Sequence, residues 1–159
     1  MFSVQKYSGN RRQNYELVIN QLKALVQDEK NAIANMANAS ALLHQFLEHI
    51  NWVGFYIKEE QELVLGPFQG LPACIRIPLG RGVCGTAAKT KKTVVVSDVH
   101  QFPGHIACDS ASNSEIVVPM IKAGEVIGVL DIDSPNLNRF NEVDRHYLEL
   151  FVEALVTTM

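Results

Sequence analysis

Three cysteines, Cys74, Cys84 and Cys108, carry the most reactive chemistry in the chain. A thiolate is a strong nucleophile and a thiol is not, so anything that lowers a cysteine pKa below its usual value of about 8.5 raises reactivity at neutral pH. Cys84 lies in Gly80-Arg81-Gly82-Val83-Cys84-Gly85-Thr86-Ala87-Ala88, where a short helix is expected to begin near Val83. The dipole at a helix N-terminus favours a thiolate there. Cys108 lies in a polar stretch that offers little to bury it. Asp109 beside it would raise its pKa, and a protonated His105 would lower it. Cys74 falls in an apolar run and reads as a small buried hydrophobe, a reading that also fits Cys84. The odd count and the absence of a CxxC argue against a disulfide framework, a structural zinc site and a thioredoxin-like motif. His100, His105 and Cys108 lack zinc-type spacing, so no metal is expected.

A second set of residues emerges from strand alternation, because successive strand side chains point to opposite faces. Val53, Phe55 and Ile57 share one face of a strand, and Trp52, Gly54 and Tyr56 the other. Ile116, Val118 and Met120 oppose Glu115, Val117 and Pro119; Leu130 and Ile132 oppose Val129, Asp131 and Asp133. One face is thus apolar and should meet helices. The other gathers Trp52, Tyr56, Glu115, Asp131 and Asp133. Aromatic rings and three carboxylates suit a small ligand with a cationic group. Asp131 and Asp133, ahead of Ser134-Pro135-Asn136, equally fit solvated or capping turn residues, Glu115 also fits an exposed strand start, and a lone Trp52 is more often a packing residue than a ligand contact.

The elements that must position these side chains follow from periodicity. Tyr15, Val18, Leu22, Leu25 and Val26 recur at helical spacing, and Met36, Leu43, Phe46 and Leu47 form a stripe within Asn31–His49. Gln27 to Asn31 is a polar junction between the two. Trp52–Lys58 and Leu63–Gln69 predict a hairpin across Glu59-Glu60-Gln61-Glu62, and Cys74–Leu79 a third strand. Thr93–Val96 is a short strand. Residues 97–114 have no clear period and are rich in small and polar side chains; a loop of that length is usually functional. Glu115–Lys122 and Glu125–Asp133 predict a hairpin across Ala123-Gly124. Asn141 is expected to cap a last helix that buries Tyr147, Leu148, Phe151, Leu155 and Val156. The pattern is α+β: an antiparallel sheet with helices packed on one face and a loop-covered ligand pocket on the other, with residues 1–159 as a single domain.

At 159 residues the chain has room for a full core without disulfides or metals. A net charge of −3 with no basic, aromatic-interleaved patch argues against nucleic acid as the main partner. Apolar runs are too short to span a membrane, and the polar stretch Met1–Gln13 lacks a signal core, so a cytoplasmic location is expected.

The pattern resembles a GAF domain. The likeness is sharpest at Asn51-Trp52-Val53-Gly54-Phe55-Tyr56, at Gly80-Arg81-Gly82-Val83-Cys84-Gly85 and at Val129-Leu130-Asp131-Ile132-Asp133-Ser134. With three cysteines spaced by 10 and then 24 positions, it is similar to the free methionine-(R)-sulfoxide reductase family over nearly its whole length. That resemblance implies roles. Cys108 matches the catalytic cysteine, Cys84 the resolving one, and Cys74 a third that assists or substitutes in disulfide exchange. Trp52 and Tyr56 match aromatics near the substrate's methyl end. Glu115, Asp131 and Asp133 match acidic residues that bind substrate and help to protonate the sulfoxide oxygen. Free methionine sulfoxide is then the substrate and thioredoxin the reductant; no metal, flavin or nicotinamide cofactor is required, and the family suggests a homodimer. A GAF sensor that binds a small molecule without chemistry, and a redox switch built on Cys108, are the alternatives.

Overall fold

Asparagines start three of the four helices. Asn10 accepts a hydrogen bond from the Gln13 amide while the Gln13 side chain accepts one from the Asn10 amide, a reciprocal cap that opens α1, Arg11–Val26. Asn31 caps α2, Ala32–Phe46, through the Ala34 amide. The expected polar junction separates the two helices. Asn141 caps the last helix, Glu142–Val156, as expected, with Asp144 completing the reciprocal bond. The structure is a computed structural model and describes residues 2–106 and 108–159.

Between the helices the chain builds six strands: β1, Trp52–Glu59; β2, Glu62–Gln69; β3, Arg76–Pro78; β4, Val94–Val96; β5, Ser114–Lys122; and β6, Glu125–Ser134. They form one antiparallel sheet in the order β3-β2-β1-β6-β5-β4. Both expected hairpins are present. The β5–β6 turn places Ala123 at φ 51° and Gly124 at φ 78°, the left-handed pair that suits the strand twist. β3 is shorter than expected and does not include Cys74. The Cys74 carbonyl instead accepts a hydrogen bond from the Tyr56 hydroxyl at 2.9 Å, which draws this residue off the ladder. The helix expected near Val83 is α3, Gly82–Thr90, and the last helix is α4.

The strand faces divide as alternation requires. Val53, Phe55, Ile116, Val118, Met120, Leu130 and Ile132 are buried beneath α1, α2 and α4, where they meet Leu22, Leu43, Leu148 and Phe151 in the main core. Trp52, Tyr56, Val117 and Val129 face a second, smaller core. One helix departs from the expected one-sided arrangement. α3 packs on this second face, because Val83, Ala87 and Ala88 give it an apolar side that meets Leu63, Ile77 and Val129. Gly85 permits the close approach, since a Cβ there would lie 2.4 Å from the Pro78 carbonyl. The segment 97–113 lies between β4 and β5 and contains one 3-10 turn, Val99–Gln101, capped by Asp98; Ala107 of that segment lies outside the described residues. Among the described residues no helix is long and apolar enough to cross a membrane.

Candidate active site

Strand register brings the three carboxyl groups together. β1 sets Trp52 opposite Asp133, and β5 sets Glu115 opposite the same Asp133. Trp52, Asp133 and Glu115 therefore form one row across the sheet. Asp131, two residues along β6, lies in the next row between Gly54 and Val117 and diagonal to Glu115. Glycine is required at position 54, because a Cβ would come within 2.3 Å of the Phe68 Cβ and 2.8 Å of the Trp52 ring. That gap lets Trp52 stack on Phe68 at 5.2 Å and on Tyr56 at 6.0 Å between ring centroids.

These aromatics also hold the loop above them. Trp52 Nε1 donates to the Leu71 carbonyl at 3.1 Å, and the Tyr56 hydroxyl holds the Cys74 carbonyl. On the opposite rim Asn51 Nδ2 donates to Asp109 Oδ2 at 2.9 Å and to Ser112 Oγ at 3.1 Å. Asp109 Oδ1 accepts from the Ala111 amide at 2.8 Å, which fixes the turn that follows Cys108. Asn51 and Ser112 were not singled out as site residues by strand alternation. Asn51 precedes the strand and Ser112 lies in a stretch with no period, so neither carried a signal beyond its neighbours.

Over the carboxyl row the two loops are joined. Cys74 and Cys108 form a disulfide with their Cα atoms 5.7 Å apart. The bond joins Cys108 to Cys74 rather than to Cys84, which fits the disulfide-exchange role implied for Cys74 and corrects the reading of Cys74 as a buried hydrophobe. Cys84 is a free thiol at 4% exposure inside α3. Cys108 is exposed and Cys74 half-buried, each on a loop at the rim, which is why they meet. Cys84 occupies the floor, where its thiol points at Glu115 Oε1 across 3.9 Å. Trp52, Tyr56, Cys84, Cys108, Glu115, Asp131 and Asp133 line one cavity, together with Gly82, His105, Ile106 and Ser112. Cys74 reaches it through its bond to Cys108.

Electrostatics in the cavity favour protons over charges. Glu115 and Asp131 are 5% and 6% exposed. Burial pushes the Glu115 carboxyl well above its usual range, and the charges of Asp131 and Asp133 push the same way. Burial likewise raises Asp133, reinforced by Asp131 and Asp109, and raises Asp131 against the opposing pull of Glu115 and Cys84. The Cys84 thiol is pushed up by burial and by the same carboxylates, so the floor opposes a thiolate despite the helix dipole. His105 is lowered by burial and then by His100; its Nε2 stands 3.8 Å from Glu115 Oε2. The imidazole thus faces the carboxyl row. Among the described residues, two buried oxygens, Asn51 Oδ1 and Asp131 Oδ1, find no hydrogen-bond partner. Asp131 Oδ1 is an acceptor in the cavity wall, available to a ligand's donor.

Cys84, Glu115 and Asp131 each place one donor atom within 4.8 Å of the others, close enough to hold a metal ion. Their raised pKa values work against one, since a ligand must shed its proton before it binds. The arrangement is better suited to giving a proton to a bound oxygen while a thiol at the rim attacks the atom that carries it.

Comparison with known proteins agrees with this geometry. A GAF domain model matches residues 37–158. The chain is 57% identical to Protein YtsP of Bacillus subtilis over 98% of its own length and 96% of that protein. It is 50% identical to the free methionine-R-sulfoxide reductase of Escherichia coli, over 92% of this chain and 88% of that one. Among solved structures, the free methionine-R-sulfoxide reductase of Neisseria meningitidis in complex with its substrate superposes with a TM-score of 0.94 at 45% identity, covering 99% of this chain and 95% of that one.

Proposed function

The chain belongs to the GAF-domain family and to its free methionine-R-sulfoxide reductases, and on that footing we propose that it reduces free L-methionine-(R)-sulfoxide, with Cys108 as nucleophile and Cys74 as the thiol that resolves it. The observation that carries this reading is the Cys74–Cys108 bond closed over a cavity floored by three protonatable carboxyls and flanked by two aromatic rings.

With the disulfide reduced, the Cys108 thiolate attacks the sulfoxide sulfur. That attack is poor unless the oxygen gains a proton. Glu115 is buried in the cavity floor and its carboxyl is pushed well above the usual range, so it is the donor in this reading. Asp133, next to it in the same row, supports or shares the proton. Asp131, with its unpartnered oxygen, accepts a hydrogen bond from the substrate's ammonium group. Trp52 and Tyr56 supply the apolar wall for the methyl end. The protonated oxygen then passes from the substrate sulfur to the Cys108 sulfur as the bond between the two sulfurs breaks, so methionine leaves and Cys108 is left as a sulfenic acid. The Cys74 thiol condenses with it, releasing water and forming the disulfide. An external dithiol returns both cysteines to thiols. Thioredoxin, at about −270 mV, is a suitable reductant. The resolving role expected of Cys84 thus passes to Cys74. Burial and the neighbouring carboxylates count against Cys84 as the attacking thiolate.

The reading takes residues 1–159 as one working domain. It extends to a cytoplasmic enzyme, as expected from the sequence, and to a homodimer, as the family resemblance implies. The test is a coupled assay with thioredoxin, thioredoxin reductase and NADPH. NADPH should be consumed with free methionine-(R)-sulfoxide and only weakly with the (S) epimer. No consumption with either epimer overturns the reading, and binding without turnover would favour a sensor.

A further inference from the structure

The segment between β2 and β3, residues 70–75, turns its polar backbone inward. The Leu71 carbonyl accepts from Trp52 Nε1 at 3.1 Å, the Cys74 carbonyl from the Tyr56 hydroxyl at 2.9 Å, and the Ile75 carbonyl from the Leu65 amide at 2.9 Å. The consequence falls on the side chains. Leu71 is 64% exposed and Ile75 68% exposed, three residues before Cys74 and one after it. Pro72 between them is exposed too, and so is Cys108 across the disulfide. Isolated exposed aliphatics need no explanation, but here they flank a disulfide whose Cys108 is an exposed residue, on a loop held by three hydrogen bonds.

We propose that Leu71 and Ile75 form an apolar docking collar for a protein dithiol of the thioredoxin type, which seats on this segment to bring its nucleophilic thiolate to the Cys74–Cys108 bond. The inference rests on the reductase reading above and names the surface through which its reductant is recognised. The occupant follows from the chemistry at the centre of the collar. This bond must be reduced once per turnover, so whatever covers the collar must present a thiol at its middle and apolar surface around it. The partner thiolate attacks the exposed Cys108 sulfur, a partner–Cys108 disulfide forms, and Cys74 leaves as a thiolate that takes up a proton. The partner's second thiolate then attacks the partner's own first sulfur. That frees Cys108 as a thiolate, and the partner departs oxidised. Two electrons have passed to this chain, with one proton on Cys74 and Cys108 left as the thiolate that attacks the next sulfoxide.

The test separates docking from chemistry by using two reductants. Turnover of free methionine-(R)-sulfoxide is measured with dithiothreitol and, separately, with thioredoxin, its reductase and NADPH. The double variant Leu71→Asp, Ile75→Asp should match wild type with dithiothreitol, while its KM for thioredoxin rises about tenfold or more. Ile33→Asp changes an aliphatic of the same 68% exposure on α2 and should leave both assays unaltered. An unchanged KM for thioredoxin in the double variant overturns the collar. An equal rise in Ile33→Asp overturns it as well, since the effect would then be one of general charge. Failure of wild-type protein to turn over with dithiothreitol would instead contradict the reductase reading itself.

Discussion

The two faces of the sheet use the same strands for opposite ends. On β6, Leu130 and Ile132 are fully buried in the main core, and Asp131 and Asp133, between and beyond them, line the cavity. The apolar face gains stability from each side chain it buries, about 1.5–3 kcal/mol for a large aliphatic or aromatic residue. The other face buries carboxyl groups and a thiol that, among the described residues, no lysine or arginine pairs with. Burial shifts these groups toward their protonated forms, Glu115 well above its usual range, and that shift is what makes the face useful. Burial that would be a defect in a core becomes a supply of acid beside a sulfoxide.

The largest break in this comparison should come from Glu115→Gln. Loss of the proton donor is expected to lower kcat by a factor of about 10²–10⁴. Stability should move the other way. The native pKa of Glu115 lies above its unfolded value, so the unfolded chain releases this proton first as pH rises. Wild-type stability is therefore full below the ordinary carboxyl pKa and declines as pH climbs toward the native one. The glutamine variant should lose less stability than wild type between pH 5 and pH 8. Urea melts at both pH values check this; a steeper decline in the variant would contradict the assignment.

Neighbours on β6 sharpen the contrast. Leu130→Ala should cost about 2–5 kcal/mol in denaturant melts, with KM for the sulfoxide unchanged in the folded fraction. Asp131→Asn, one residue on, should leave the melt within about 1 kcal/mol and raise KM roughly tenfold, as an ammonium partner is lost. A raised KM in the first or a collapsed melt in the second would blur the division of faces.

That division was legible because a strand has only two sides. Once Trp52, Glu115 and Asp133 were placed in strands, period-two alternation assigned their faces, and antiparallel register then made them neighbours. The cysteine pairing was not legible. Cys74 and Cys108 sit on loops whose paths are set by side-chain bonds from Tyr56 and Asn51, and such contacts leave no periodic trace in sequence. Cys84 drew attention because it opens a helix, yet burial under the carboxyl row outweighs the dipole. The face that α3 covers was not legible for a related reason. Its short apolar stripe, Val83, Ala87 and Ala88, says that it packs against something but not on which face.

The central claim is that Cys108 attacks and Cys74 resolves, and a single-turnover experiment addresses it most directly. Fully reduced Cys74→Ser, Cys84→Ser and Cys108→Ser are each mixed with excess free methionine-(R)-sulfoxide without reductant, and released methionine is counted per protein. The account predicts about one equivalent from Cys74→Ser, with Cys108 left as a sulfenic acid that a dimedone probe captures. It predicts about one from Cys84→Ser, with the Cys74–Cys108 bond formed, and none from Cys108→Ser. Methionine released by Cys108→Ser, or none released by Cys74→Ser, would contradict it.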